Sequence, residues 1–545
     1  VKIALAQLNY NIGNFDANTQ KIIQAIHQAE AHKADLVVFA ELSIGGYPAQ
    51  DFLEFDDFID LCAQSLAEIS THCHQIGCII GVPIRNKQPK GKPLFNAAAF
   101  CYQGKVEYYR KALLPNYDVF DEYRYFEPAR EFELIHFKGV KIALTICEDI
   151  WDVGNNRLYT INPMEILSED KPDLMINIAA SPFHAHQAST RLNVLKANVL
   201  QYKIPLIYVN QVGAQTELIF DGGSLAFGQN ATVAAHLPFF EESIQIVDFE
   251  ALKKNDFTQN QQVIPEKIAL IHQALVMGVR DYFQKMGFSK ALLGLSGGID
   301  SAVTMVIAAQ ALGSANVLGV LMPSQFSSDH SISDALALAK NLGSPVETIG
   351  IESLYHAFSH SLSPLFLGKP VDVTEENIQA RIRGLLLMAL SNKFGSILLN
   401  TSNKSEAAVG YGTLYGDMNG GISVLGDVFK TEVFELAHFI NREQEIIPLN
   451  TITKPPSAEL RFDQKDSDSL PEYELLDALL HQYIDLKKGP EALKLAGFDE
   501  IIIRRVLRLV NMNEHKRKQS PPVLRVSSKA FGMGRRIPIV AKYLM

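Results

Sequence analysis

The string Ser296-Gly297-Gly298-Ile299-Asp300-Ser301 follows the apolar run Leu292-Leu293-Gly294-Leu295. Glycines let backbone N–H groups approach an anion closely, and a helix opening behind them adds unpaired donors and a favourable dipole. Ser296 and Ser301 can add hydroxyl donors, so the loop suits pyrophosphate. It is not the GxxxxGK[ST] phosphate loop, because the lysine is absent. The glycines alone fit a tight strand-to-helix turn equally well. Asp300 and Ser301, placed directly after an apolar strand, favour the phosphate reading.

A second set could do nucleophilic chemistry. Glu41 lies in Phe39-Ala40-Glu41-Leu42, Lys111 in Tyr109-Arg110-Lys111-Ala112, and Cys147 in Thr145-Ile146-Cys147-Glu148. A lone buried cysteine is usually a small hydrophobe. A thiol with a carboxylate to take its proton is a nucleophile. An ammonium can hold the developing oxyanion and favour the thiolate.

Alternating strands and helices must position both sets. In the first half, strands are expected at 3–6, 36–39, 78–82, 140–146, 174–178 and 205–209, and helices at 16–33, 54–76 and 186–202. Residues 95–105 read as a hairpin. The polar stretch 253–265, with Lys253-Lys254-Asn255-Asp256 and Gln259-Asn260-Gln261-Gln262, reads as a linker between domains 1–252 and 266–545. The second half restarts with a helix at 266–286. Strands at 291–295, 316–321, 346–349 and 396–399 then alternate with helices at 301–312, 331–342 and 374–393, the pattern of a doubly wound parallel, Rossmann-like sheet. Residues 515–536, basic and rich in Pro, Gly and Ser, read as an extended or conditionally ordered tail.

The chain has 545 residues, 47% of them hydrophobic, which is ample for two packed α/β domains. A net charge of −10 argues against a nucleic-acid binder. Five cysteines with no CxxC pair exclude a disulfide scaffold or zinc ribbon. With no apolar leader and no membrane-length apolar run, the expected compartment is the cytoplasm.

The loop from Ser296 to Ser301 resembles the ATP pyrophosphatase family, which reads SGGxDS there. Leu399-Asn400-Thr401-Ser402-Asn403-Lys404-Ser405-Glu406 and Tyr411-Gly412-Thr413-Leu414-Tyr415-Gly416-Asp417 resemble the NAD synthetases within it, over about 266–545. The resemblance implies that Gly294, Leu295, Ser296, Gly297, Gly298, Ile299, Asp300, Ser301, Thr401, Lys430 and Ser457 contact ATP. It implies Asp300 and Glu406 as Mg²⁺ ligands, and Asn377, Arg381, Glu406 and Lys516 around deamido-NAD⁺. The reaction so implied is adenylation of a carboxylate, followed by attack of ammonia and departure of AMP.

Residues 1–250 resemble the nitrilase (carbon–nitrogen hydrolase) superfamily, an αββα sandwich. By that resemblance Cys147 is the nucleophile, Glu41 the general base and Lys111 the oxyanion stabiliser. Glu122 is a second supporting glutamate. Tyr47, Tyr117, Ser181 and Gln187 face L-glutamine, with Gln187 acting through its side chain or its backbone. The order of the halves resembles glutamine-dependent NAD⁺ synthetases, which route ammonia through an internal tunnel and form homo-oligomers, dimers or larger. A related ligase acting on a different carboxylate is the alternative. A non-catalytic first half is a third reading, and the complete Glu41, Lys111 and Cys147 set speaks against it.

Overall fold

The strand Lys2–Gln7 alternates faces: Ile3 and Leu5 join one core cluster, Ala4 and Ala6 another. Period-two alternation of this kind is what a strand between two apolar layers requires. In the computed structural model, which describes residues 1–153, 158–260, 264–457, 459–461, 464, 466–468 and 470–543, this strand lies in a six-stranded sheet. Its order is Ser243–Asp248, Lys2–Gln7, Leu36–Val38, Gly77–Arg85, Leu94–Tyr102, Lys105–Arg110. A second six-stranded sheet runs Val233–His236, Leu225–Phe227, Leu206–Asn210, Leu174–Ala179, Val140–Ile146, Ile135–Phe137.

Ile3, Leu5 and Val38 of the first sheet pack with Ile142, Leu144 and Ile146 of the second. On the opposite face, Ala4, Val37 and Ile80 meet Ile22 and Ile26 of helix Phe15–Ala31 and Leu66 and Ile69 of helix Asp56–Ser70. Helices Pro163–Glu169 and Gln187–Tyr202 add Met164, Leu167, Leu195 and Val199 to the second sheet's core. Every residue of Leu174–Ala179 is buried, as expected for a parallel strand covered on both faces. The result is the αββα sandwich.

The hairpin closes through Gln103 and Gly104, both at positive φ (49° and 75°), pairing Tyr102 with Lys105. The helix expected at 54–76 is shorter, Asp56–Ser70. Ser70 and Thr71 hydroxyls donate to the carbonyls of Ala67 and Glu68 and so compete with the helix.

The first compact unit is Val1–Pro265, and the second is Glu266–Met545. Lys253 and Lys254 end the helix Phe249–Lys254, and the N–H of Asn260 bonds the carbonyl of Val233. Gln261 and Gln262 of the polar stretch lie outside the described residues.

The second unit holds five parallel strands in the order Val346–Thr348, Val317–Leu321, Ala291–Gly294, Ile397–Asn400, Ile422–Ser423. The winding direction reverses between Ala291–Gly294 and Ile397–Asn400, the point where a doubly wound sheet opens a crevice beyond its strand ends. Helix Val373–Phe394 packs Ile382 and Leu387 against Leu292, Val320 and Leu398. Helix Ile299–Leu312 starts two residues earlier than expected, which places Asp300 in its first turn.

Beyond the sheet, helices Tyr473–Leu480, Pro490–Leu495 and Glu500–Met512 share a core of Leu476, Leu480, Leu493, Ile503, Val506 and Val510. The tail, expected to be extended or conditionally ordered, packs over part of its length. Leu524, Val526 and Phe531 are buried, and Arg517 and Arg535 both pair with Glu514 at 2.7 and 2.6 Å. These two arginines turn their charge inward, while Lys518 and Arg536 stay exposed. Among the described residues, no helix is long and apolar enough to cross a membrane.

Candidate active site

Strand ends of the two sheets bring the first set together. Glu41 follows Leu36–Val38, Lys111 follows Lys105–Arg110, and Cys147 follows Val140–Ile146. The turn carrying Glu41 presses on Gly81, where a Cβ would lie 2.1 Å from the N of Leu42. Only glycine admits that approach. Cys147 has φ +44°, a strained conformation for a residue with a side chain, and strain of this kind collects at functional turns.

Lys111 Nζ donates to Glu41 Oε1 at 2.6 Å and to Glu122 Oε1 and Oε2 at 2.9 and 2.8 Å. Asn96 Nδ2 also donates to Glu41 Oε1 (2.7 Å) and Glu122 Oε2 (3.4 Å), and the N–H of Ala180 to Glu41 Oε2 (3.0 Å). Burial pulls the Lys111 ammonium down, but Glu122 and Glu41 outweigh it and hold its pKa well above the usual lysine range. Burial pushes Glu122 up to about 7 despite Lys111. Burial, then the charge of Glu41, also pushes the Cys147 thiol well above its ordinary value, against the pull of Lys111. Lys111 thus favours the thiolate, as expected, but burial and the charge of Glu41 outweigh it. The Lys111 charge is engaged by two carboxylates.

The remaining first-unit candidates divide. Ser181 is buried, its N–H held by Asn210 Oδ1 at 2.9 Å and its Oγ accepting from Gln187 Nε2 at 3.1 Å. Tyr117 is exposed on one side and donates to Glu148 Oε1 at 2.8 Å, as does Tyr159 at 2.9 Å. Tyr47 is buried and spends its hydroxyl on Glu122 Oε1 at 3.0 Å. Sequence reasoning missed Asn96, whose signal was a polar residue interrupting the apolar strand Leu94–Tyr102. It also missed Asp149, whose carboxylate accepts the N–H groups of Ala112, Leu113 and Ile146 and so ties the Lys111 and Cys147 segments together.

In the second unit, Gly297 has φ +78°, and a Cβ there would lie 2.1 Å from the carbonyl of Ser331. Ser301 Oγ accepts from the N–H of Ser296 (3.3 Å) and donates to the Gly298 carbonyl (3.0 Å), closing the loop over the helix start. Gly294 ends the strand, and Leu295 and Ile299 are buried beneath the loop.

Asp300, Glu406 and Lys430 meet at the switch point. Lys430 Nζ bonds Asp300 Oδ2 and lies 3.5 Å from Glu406 Oε1. Asn403 Nδ2 donates to Asp300 Oδ1 at 2.8 Å, and its Oδ1 accepts the Glu406 N–H at 2.9 Å. Burial, then the charge of Asp300, pushes Glu406 up to about 8. Two carboxylates this close call for positive charge. Mg²⁺ commonly takes one or two carboxylates and completes its shell with substrate phosphates and water. Among the described residues, no group of three or more His, Cys, Asp or Glu side chains is placed to hold a metal. Asp300 and Glu406 thus fit a magnesium ion shared with a bound phosphate.

The other second-unit candidates gather elsewhere. Asn377 Oδ1 accepts from Thr413 Oγ1 at 2.6 Å, Arg381 Nε donates to the Leu414 carbonyl at 3.2 Å, and Lys516 Nζ to those of Gly410 and Gly412 at 2.8 Å each. These three converge on the loop leaving the Glu406 helix, Lys404–Val409. Thr401 directly follows the strand Ile397–Asn400. Ser457 is exposed and accepts the N–H of Glu459, which in turn accepts from Ser331 beside Gly297. Sequence reasoning missed Asn403 and the buried Lys404, which pairs with Asp427 and Asp485 at 3.0 and 3.1 Å.

Comparison with known proteins agrees with this division. The carbon-nitrogen hydrolase family model matches residues 2–252, and the NAD synthase model matches 271–520. The glutamine-dependent NAD(+) synthetase of Synechocystis sp. is 44% identical, with 99% of each chain covered. That of Acinetobacter baylyi is 43% identical over 99% of this chain and 98% of its own. The structure of glutamine-dependent NAD⁺ synthetase from Acinetobacter baumannii in complex with ADP is 40% identical, covers 99% of this chain and 98% of its own, and superposes with a TM-score of 0.78. A carbon–nitrogen hydrolase unit joined to an NAD synthase unit, matched end to end by such relatives, places the chain in the glutamine-dependent NAD⁺ synthetase family, the glutamine-hydrolysing ligases that make NAD⁺.

Proposed function

We propose that the first unit hydrolyses L-glutamine at Cys147 and that the second uses ATP and the released ammonia to amidate deamido-NAD⁺ (nicotinate adenine dinucleotide) to NAD⁺. The observation that carries this reading is a buried lysine held between two carboxylates in each unit, one beside a strained cysteine and one beside an anion loop.

Cys147 Sγ attacks the side-chain amide carbon as Glu41 takes the thiol proton. The ammonium of Lys111 faces the oxyanion that develops. Collapse expels ammonia with the proton returned from Glu41, leaving a thioester. Glu41 then activates the water that releases L-glutamate. Ser181 and Gln187 supply neutral donors for the amino-acid end, and Glu148, with Tyr117 and Tyr159, supplies an acceptor beside Cys147.

In the second unit the nicotinate carboxylate attacks the α-phosphorus of ATP, pyrophosphate leaves, ammonia attacks the acyl-adenylate, and AMP leaves. Backbone N–H groups around Gly297 and the helix start cradle the phosphates, and Lys430 offers a charge to the departing pyrophosphate. Mg²⁺, held by Asp300 and Glu406, would offset phosphate charge. Asn377, Arg381 and Lys516 brace the loop at Gly410–Leu414 that would lie over the dinucleotide. Assembly as a homo-oligomer, a dimer or larger, belongs to the same reading.

Pyrophosphate release, measured with ATP, ammonia and a panel of carboxylic acids, tests the acceptor. Release should require deamido-NAD⁺. Release with another acid, and none with deamido-NAD⁺, would assign a different ligase.

A further inference from the structure

Behind Ser181 lies a charged pair that the reaction does not use. Arg191 Nη1 and Nη2 donate to Asp221 Oδ1 and Oδ2 at 2.9 and 2.7 Å, and the two residues are 1% and 0% exposed. Asn210, equally buried, donates from Nδ2 to Asp221 Oδ1 (3.4 Å), the Gly222 carbonyl (3.1 Å) and the Ser181 carbonyl (3.4 Å). Its Oδ1 accepts the Ser181 N–H at 2.9 Å. Arg191 stands one turn after Gln187 on the helix Gln187–Tyr202, so one helix face reaches Ser181 directly, through Gln187 to its hydroxyl, and indirectly, through Arg191, Asp221 and Asn210 to its peptide. Gly223 packs against Phe239 and the guanidinium. A Cβ on Gly223, whose φ is +58°, would lie 3.0 Å from Arg191 Nη2.

A buried ion pair is a poor source of stability, since well-packed apolar side chains of similar volume do as well or better. What the two-pronged geometry supplies is direction. It fixes the plane of the Asp221 carboxylate, which orients the Asn210 amide, which holds the peptide of Ser181.

We infer that Arg191, Asp221 and Asn210 are positioning residues that aim Ser181 at the amino-acid end of glutamine. The inference rests on the glutaminase reading above. It concerns how tightly glutamine is held, not how readily Cys147 reacts.

The test is Asp221→Asn, which keeps the shape and removes the charge. The KM for glutamine should rise on the order of ten-fold, as for one lost hydrogen bond to a charged group, with kcat nearly unchanged. Two Cys147 reagents give an independent readout, with the modified peptide identified by mass spectrometry. Iodoacetamide, which has no amino-acid end, should label the variant at the wild-type rate. A chloroketone analogue of glutamine, which has that end, should inactivate it roughly ten-fold more slowly, tracking the same lost bond. Equal slowing with both reagents, or a lower kcat at unchanged KM, would overturn the inference. Wild-type protein that hydrolyses no glutamine would instead defeat the glutaminase reading. If a thermal melt shows that Asp221→Asn does not fold, Asn210→Ser is measured in its place, with the same split expected and the same contrary results.

Discussion

Both units place a lysine between two carboxylates, and the two lysines differ in what surrounds them. Lys111 and Glu41 are fully buried and Glu122 is 5% exposed, with Asn96, Tyr47 and the N–H of Ala180 satisfying the carboxylate oxygens. Around Lys430, Asp300 and Glu406 keep 18% and 16% of their side-chain surface. The first arrangement is closed and complete, as fits a thiol, base and oxyanion holder that must already be in place when glutamine arrives. The second is less enclosed, as fits a site finished by its substrate's phosphates and cation. Enclosure and openness should therefore govern how each site responds when its lysine is removed.

The largest difference is expected from Lys111→Met against Lys430→Met. The first strands two carboxylates without a cation in a sealed site, at a cost of about 3–5 kcal/mol. The second leaves carboxylates that keep some contact with solvent (18% and 16% exposed), so its cost should be smaller. Separate melting transitions of the two units, followed by calorimetry, would reveal this, and equal losses would erase the distinction between the sites. Next is Asp300→Asn, which should lower pyrophosphate release by roughly 10²–10³-fold while glutamine hydrolysis persists. Unchanged pyrophosphate release would remove Asp300 from the reaction.

Gly297→Ala should act more mildly on the same side. The methyl group must displace Ser331 and sit at positive φ, costing about 1–3 kcal/mol. A weaker ATP affinity in calorimetric titration is the expected sign, and wild-type affinity would show that the loop tolerates a Cβ. The smallest effect concerns pH. Glu122 titrates at about 7 in the folded protein and near 4.5 when unfolded, so it contributes stability below pH 4.5 that is lost as pH rises through 7. Glu122→Gln should flatten this slope, narrowing the fall in melting temperature of the first unit between pH 6 and 8 by a few degrees. A slope that stays as steep would place the titration elsewhere.

Much of this was legible because reactive residue types stand at strand ends. Cys147 and Glu41 each close an apolar run, Lys111 leads from a strand into a loop, and the glycines of the anion loop follow another apolar run. The supporting residues were not legible, because their partners are remote in sequence. Asn96 acts on Glu41, 55 residues away, and Asn403 on Asp300, 103 away. Asn96 shows locally only as a polar residue within an apolar strand, and nothing local distinguishes Asn403 from a surface amide. The tail misled for the same reason. Composition reports that Arg517 and Arg535 are charged, not that Glu514 waits for both. The helices that follow Lys430 also escaped the reading, although Ile503, Val506, Leu507 and Val510 carry helical spacing in Glu500–Met512.

The two-site account is tested most directly by Cys147→Ala assayed for NAD⁺ formation with each nitrogen donor. Glutamine-supported synthesis should disappear, and ammonia-supported synthesis should continue at close to the wild-type rate. Loss of both in a folded variant, or survival of glutamine-supported synthesis, would contradict the division of chemistry between the two units.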